Sequence, residues 1–310
     1  MKRIADQFLD STQYVDDQEE VVGCACCGVR YPGTGKHCNK CHAPSELSRI
    51  VRTRGAPAKF ISVLGSSGAG KTVYLGLLLD LLSKGRGAMR GVANGSFSVS
   101  VQHNTIGALE HRQFPEKTAS EADEWQWVHC EVTNSNQPKR PWDLITPDFA
   151  GEAVSMEIEV PGSYPAIQSV VAQSAGVLLL CDAISACRGP LHEDIFALKL
   201  ATYIQATQEE QCRRQGKKLG KQRMPIAIVF TKCDQCPEVR EDPERFAANN
   251  LPRLLQYCQR GFSNCRFFAA SAVANWATLM DDFGCCSQIA LHVEPRGIIE
   301  PLLWVTESNA

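Results

Sequence analysis

The sequence lacks extremes of charge: 32 Lys plus Arg against 34 Asp plus Glu leave a net charge of -2. Nothing global therefore draws the chain to phosphate backbones or anionic lipid, and a nucleic-acid role would need a local patch. Long apolar runs are also lacking. The longest, Val73 to Leu82 and Gly176 to Ala183, fall far short of the ~20 residues that span a bilayer, so no membrane span is expected. The opening Met1-Lys2-Arg3-Ile4-Ala5-Asp6 has no apolar core or small-residue cleavage site of the secretory kind, and the cytoplasm is the expected compartment. With 44% apolar, 21% charged and 7% aromatic side chains over 310 residues, the composition is that of a folded globular chain. It has room for one sizeable domain and a small second one, and no internal repeat is evident.

Cysteine is plentiful. Fifteen thiols would suggest a disulfide scaffold in a short secreted chain, but the number is odd and the chain long, so reduced thiols and metal binding are the better reading. Five fall between residues 24 and 41. Cys24-x2-Cys27, ten intervening residues and Cys38-x2-Cys41 form two knuckles of the kind that grip a tetrahedral metal, with Gly28, Pro32, Gly33 and Gly35 between them as in a short hairpin. Four thiolates select Zn²⁺ most often, and an iron site is the alternative. Cys26, His37 and His42 leave a substituted ligand set open. The module either docks to protein or nucleic acid or is a small fold that needs metal for want of a core. The scattered cysteines, Cys130, Cys181 and Cys258 among them, read as small buried hydrophobes.

Four segments follow from these textures. Residues 1–20 carry six acidic side chains and little periodicity, as a flexible arm would. Residues 21–45 hold the zinc-ribbon-like module, 46–57 a linker, and 58–308 the main domain. There, strands are expected at Lys59 to Leu64, Trp125 to Val132, Asp143 to Thr146, Val177 to Asp182, Ile226 to Phe230 and Arg266 to Ala269. Helices are expected at Thr72 to Leu82, Ile167 to Ser174, Glu193 to Cys212, Pro243 to Gln259 and Ile298 to Val305. That alternation predicts an α/β fold, a mostly parallel sheet covered on both faces. A stretch of about forty residues before Trp125 has no assigned element, and loops of that length are often functional.

Gly65-Ser66-Ser67-Gly68-Ala69-Gly70-Lys71-Thr72 matches G-x4-G-K-[ST] between an apolar strand and a helix. The glycines free backbone N-H groups to turn onto phosphates, and the helix N-terminus adds positive dipole. Lys71 would reach the β and γ oxygens, and Thr72 would supply an oxygen to Mg²⁺. Nucleoside triphosphate binding follows.

Further elements appear in the order of the regulatory P-loop GTPases, which the sequence resembles from residue 58 to about 305. Asp148-Phe149-Ala150-Gly151 fits D-x-x-G, and the resemblance implies that Asp148 holds Mg²⁺ through water and that the Gly151 N-H meets the γ-phosphate. Thr231-Lys232-Cys233-Asp234 fits [NT]-K-x-D. A carboxylate there accepts from N1 and N2 of guanine, whereas adenine would leave it unpaired. Lys232 would lay its stem along the base. Thr231 replaces the family's asparagine, which weakens the implied tie to the phosphate loop. Ala270-Ser271-Ala272 resembles the S-A box, whose backbone meets guanine O6, implying roles for Ser271 and Ala272. The family also closes a threonine over Mg²⁺. Thr105, Thr118 and Thr133 compete, and Thr118 is favoured because it lies in a polar stretch just before a strand. Glu152 stands where many members carry a water-orienting glutamine. It would position water, or be an exposed residue of a slow enzyme.

The whole arrangement, from cysteine knuckles through Asp148-Phe149-Ala150-Gly151-Glu152 to Gly297-Ile298-Ile299-Glu300-Pro301-Leu302-Leu303-Trp304, resembles the bacterial double-GTPase group. That implies a P-loop three-layer fold, GTP/GDP, Mg²⁺ and Zn²⁺ as ligands, and a GTP-hydrolysing switch in a multi-protein NTPase signalling or conflict system. A partner GTPase or effector protein is likewise implied, and the oligomeric state stays open. A GTP-binding scaffold with little turnover and an RNA-associated GTPase are the alternatives. The dense basic run Arg213 to Arg223, with six positive charges, is either a solvated loop or a contact for an acidic partner or RNA. It lacks the interleaved aromatics of a base-stacking surface, and nucleic acid is not favoured.

Overall fold

The computed structural model describes residues 21–54, 59–85, 87–115, 127–135, 141–216, 224–280 and 286–308. The expected acidic arm, 1–20, lies outside them. Strands β1 (Val21–Gly23) and β2 (Arg30–Pro32) form an antiparallel hairpin with Val22 opposite Tyr31. Helix α1 (Ser45–Arg54) follows, where a linker was expected. It is held by tertiary partners around its first turns. Ser48 Oγ accepts from Ala25 N at 3.0 Å, Leu47 is buried with Tyr31, and Arg49 reaches Gly33 O at 3.0 Å. At its end, Arg54 makes two hydrogen bonds to Asp143, at 2.8 and 2.6 Å.

The main domain begins with β3 (Phe60–Gly65), α2 (Lys71–Ser83), β4 (Met89–Asn94), α3 (Gly95–Glu110), β5 (Trp127–Asn134) and β6 (Trp142–Pro147). It continues through α4 (Gly151–Glu159), α5 (Pro165–Gln173), β7 (Ser174–Asp182), α6 (Ala183–Arg188), α7 (Pro190–Arg214) and β8 (Ile226–Thr231). The remainder is α8 (Pro237–Glu241), α9 (Pro243–Asn250), α10 (Pro252–Gly261), β9 (Cys265–Ala269), β10 (Ser271–Met280), β11 (Cys286–Arg296) and α11 (Glu300–Glu307). The main sheet runs β4-β5-β6-β3-β7-β8-β9, parallel from β6 to β9 and antiparallel at the β4-β5-β6 edge.

Central strands read as unbroken apolar runs because both faces are covered. Side chains alternate between two cores. Phe60, Leu64, Val177, Leu179, Ile226 and Ile228 face α5, α7 and α10, whereas Ile61, Val63, Leu178, Leu180, Ala227 and Val229 face α2, α3 and α11. The cysteine module belongs to the first of these, with Cys24, Cys26, Tyr31 and Leu47 in the same continuous cluster. Three layers result, with the module packed on the helices of one face.

Two expectations need correction. The helix foreseen over Pro243 to Gln259 is two helices, because Pro252 has no N-H to continue the ladder and instead starts α10. The unassigned stretch before Trp125 contains β4 and α3. Its signal is weak because Gly91, Gly95 and Gly107 interrupt it, and packing against α2 supplies what propensity does not. The β10-β11 hairpin was likewise not foreseen.

A candidate nucleotide site and a tetracysteine cluster

The end of β3 turns through Gly68 and Gly70, both at φ 76°, a left-handed conformation open to glycine at no steric cost. Lys71 then begins α2, with its ammonium folded over the loop onto Gly65 O at 3.2 Å and Ser66 O at 3.0 Å. Burial pushes the Lys71 ammonium below its ordinary value, against the opposing pull of Asp148, Glu152 and Glu193. Thr72 Oγ1 donates to Asp148 Oδ2 at 2.7 Å, which joins the start of α2 to the segment after β6. That hydroxyl and carboxylate are hard oxygen donors side by side, the donor chemistry Mg²⁺ takes, with Asp148 able to act through a water as expected.

Gly151 opens α4 directly against the phosphate loop. A Cβ added there would overlap the Ser67 backbone nitrogen, so no larger residue fits this closure. Next to it Ser67 Oγ donates to Glu152 Oε1 at 2.7 Å.

On the far side of the cavity, Thr231 closes β8, its hydroxyl 2.9 Å from Ala69 O and 3.2 Å from Cys181 O. The tie to the phosphate loop that the missing asparagine put in question is therefore made by the threonine. Lys232 follows at φ 59°, with its ammonium 2.6 Å from Asp182 Oδ2. Burial pushes the Asp234 carboxyl up, while its own backbone N-H, Lys232 and Arg240 pull it back. Cys233 N donates to Ala270 O at 3.2 Å and Ala270 N to Phe230 O at 2.7 Å, which ties the Asp234 turn to Ser271 and Ala272.

These pieces enclose one cavity of about 400 Å³. Ser67, Gly68, Gly70, Lys71 and Thr72 line one end, with Gly151 and Glu152 beside them; Thr231, Lys232, Asp234, Ser271 and Ala272 line the other. Asp148 stands beneath, bonded to Thr72, and Gly65 and Ala69 hold the loop from outside the cavity wall. Thr118 lies outside the described residues. Of its competitors, Thr105 is buried in α3, 3.5 Å from Thr72 O, and Thr133 belongs to β5 and reaches Arg90 O, so both are engaged in secondary structure.

Sequence reasoning missed several neighbours. Glu193, 2% exposed, accepts from Ser66 Oγ at 3.3 Å and from Asp182 N at 3.1 Å, and burial pushes its carboxyl up. It braces the phosphate loop against the end of β7. Phe114 and Trp276 also line the cavity. The alternation Ile289, Leu291, Val293 was the available signal for the hairpin that carries Trp276.

At the opposite end of the chain, Cys24, Cys27, Cys38 and Cys41 converge, with all four sulfurs within 4.8 Å of one another and two pairs at 3.5 Å. Tetrahedral bonds of 2.3 Å place sulfurs about 3.8 Å apart, so the donor set fits Zn²⁺. Cys26, His37 and His42 stand outside this set. A cavity of about 120 Å³ separates Cys26, Cys27 and Lys40 from Gln168 of α5 and Gln211 of α7. Of the basic run, Arg213 and Arg214 pair with Glu210 at the end of α7, and residues 217–223 lie outside the described residues. No helix among the described residues is long and apolar enough to cross a membrane.

Among solved structures the chain is similar to the Arl6 small GTPase from Trypanosoma brucei, at 12% identity and TM-score 0.41 over 81% of this chain and 97% of that one. It is also similar to a chain of the signal recognition particle receptor complex from Chaetomium thermophilum, at 13% identity and TM-score 0.36 over 71% of this chain and 93% of that one. No curated protein sequence matches it. The model of the Double-GTPase 2 family matches residues 59–283, from the start of β3 past the β10 strand, and the chain belongs to that family.

Proposed function

We propose that this protein is a Mg²⁺-dependent, GTP-binding and GTP-hydrolysing switch. The observation that carries the reading is the single cavity with a phosphate loop at one end and the Asp234 carboxyl at the other. Lys71 and the loop N-H groups bind the phosphates, and the α2 N-terminus adds its dipole. Asp234 accepts from guanine N1 and N2, and Ser271 and Ala272 present backbone to O6. Thr72 and Asp148 would hold Mg²⁺, which would supply positive charge to neutralise the phosphates. Gly151 and Thr118 link the γ-phosphate to the loops that report it, and Glu152 orients the attacking water.

The Ser67–Glu152 hydrogen bond supports a second reading, a GTP-binding scaffold with little turnover, because it engages the carboxylate that water would need. Zn²⁺ in the four-cysteine cluster would join the two cysteine knuckles and so hold the N-terminal module folded. That module gives the switch a surface for a partner GTPase or effector, within a bacterial multi-protein NTPase system in the cytoplasm.

The test is titration of Mg²⁺-supplemented protein with fluorescent GTP, GDP and ATP analogues, followed by phosphate release from the same sample. Selective guanine binding with release supports the switch, and binding without release supports the scaffold. Equal affinity for ATP and GTP would overturn both.

A further inference from the structure

Cys187, in the last turn of α6, is exposed. Its sulfur lies 3.4 Å from that of Cys236, a residue 49 positions further along the chain and 8% exposed. Cys236 closes the turn that carries Asp234, where Gln235 N donates to Lys232 O at 3.0 Å and Cys236 N to Cys233 O at 3.3 Å. Helix α6 is already fixed to this turn at its other end. Asp182 caps it by accepting from Ile184 N and Ser185 N, and the same carboxylate takes the Lys232 ammonium at 2.6 Å. The turn is thus held to α6 by an ion pair on one side and faces it through two thiols in contact on the other.

We propose that Cys187 and Cys236 form a dithiol–disulfide site, oxidised by a hydroperoxide and reduced by a thiol, that locks the Asp234 turn and slows nucleotide release. The control of release rests on the function proposed above. Closing the bond requires the sulfurs to approach by about 1.4 Å, from 3.4 Å to ~2.05 Å. The exposed Cys187 thiolate attacks the peroxide, the O–O bond breaks with loss of water or alcohol, and a sulfenic acid results. Cys236 then attacks that sulfur, the S–O bond breaks, water leaves and the S–S bond forms. Two thiols lose two protons and two electrons, and hydrogen peroxide becomes two waters. Burial pushes the Cys236 thiol up to about 12, so the first attack falls to the exposed Cys187. Once formed, the bond removes the opening motion by which a base leaves past Asp234, because a crosslink restricts local unfolding of the segment it spans.

The experiment uses the full, reduced, zinc-loaded chain and its Cys187→Ser and Cys236→Ser variants, each treated with one to two equivalents of hydrogen peroxide (about the stoichiometry of a single disulfide). Free thiols are then alkylated and the unreduced digest mapped by mass spectrometry. A zinc indicator dye reports whether the cysteine cluster is touched. Release of a fluorescent GDP analogue is followed before and after oxidation and after added glutathione. The expected result is a crosslink between the Cys187 and Cys236 peptides with zinc retained, absent from both variants. Release slows several-fold, reverses with glutathione, and does not change in the variants. A map in which other thiols oxidise while Cys187 and Cys236 stay unlinked overturns the site. A crosslink that leaves release unaltered overturns the lock. If the reduced protein binds no guanine nucleotide, the proposed function fails, and the lock with it, while the peptide map still decides the site.

Discussion

Arg54→Ala removes the side chain that fastens α1, and with it the cysteine module, to the main sheet. The Asp143 carboxylate it leaves behind is 0% exposed, and the guanidinium that bridges to it is 18% exposed. Two charge-assisted hydrogen bonds disappear, at 2.8 and 2.6 Å, while His129 Nε2 at 3.0 Å and Lys59 N at 3.3 Å remain. Breaking a buried pair typically costs 3–5 kcal/mol; since two donors survive here, a loss of about 3–4 kcal/mol is expected. At ~2–4 °C per kcal/mol for a domain of this class, melting falls by roughly 6 to 16 °C. The assay is thermal and urea unfolding of the zinc-loaded, nucleotide-free protein, with zinc held constant so that linkage does not contribute. Acid provides a second readout. Burial alone would raise the Asp143 carboxyl, but hydrogen bonds from His129 and Arg54 outweigh it and hold the carboxyl below its ordinary range. The stability this gives is full above the ordinary carboxylate range and is lost as pH falls through the lowered native value, so the gap between wild type and Arg54→Ala narrows in acid. A double variant, Arg54→Met with Asp143→Leu, recovers only part of the loss: no carboxylate is left buried, but His129 Nε2 and Lys59 N lose their acceptor. A decrease under about 1 kcal/mol, the size of an exposed ion pair, would refute the reasoning.

Asp234→Asn weakens GTP binding by about 10- to 100-fold, the loss of ~1.5–3 kcal/mol for hydrogen bonds to a charged acceptor, as read by titration. Because burial raises the Asp234 carboxyl, wild-type GTP affinity also declines as pH falls through that raised value, and the decline is absent from Asp234→Asn. Thr231→Val leaves the buried carbonyls of Ala69 and Cys181 without the hydroxyl and costs about 1–3 kcal/mol in urea unfolding, while Thr231→Ser costs less. Gly151→Ala drives a methyl into the Ser67 backbone, and a fluorescent GTP titration shows binding falling together with phosphate release. Removing zinc with a chelator melts the β1-β2 hairpin before the main sheet, visible as loss of amide protection at Val22 and Tyr31 while β7 and β8 stay protected.

The central sheet was legible because its strands are rich in apolar runs such as Ile226 to Phe230, bounded by glycine, proline and polar turns. The Gly65 to Thr72 loop and the Thr231-Lys232-Cys233-Asp234 turn were legible as motifs of fixed residue types at fixed spacing, and the structure brings both to one cavity. What stayed hidden depends on partners far apart in sequence. Glu193 reads as an ordinary acidic residue in the first turn of a helix until Ser66, 127 positions away, comes within 3.3 Å. Arg54 reads as the end of a linker until Asp143, 89 positions away, meets it. Thr231 reads as a weakening of the asparagine pattern, although any side chain with a donor of suitable reach can bond the Ala69 carbonyl.

That last substitution bears on how the two ends of the cavity are coupled. Thr231 bonds to the phosphate loop at Ala69, and Glu193 joins Ser66 of the same loop to Asp182, whose carboxylate holds Lys232. The loop is therefore linked to the base-side turn by two independent routes. Cys187 and Cys236, 3.4 Å apart, join α6 to the same turn beyond Asp234, so the bond proposed between them would be a further tie on that turn.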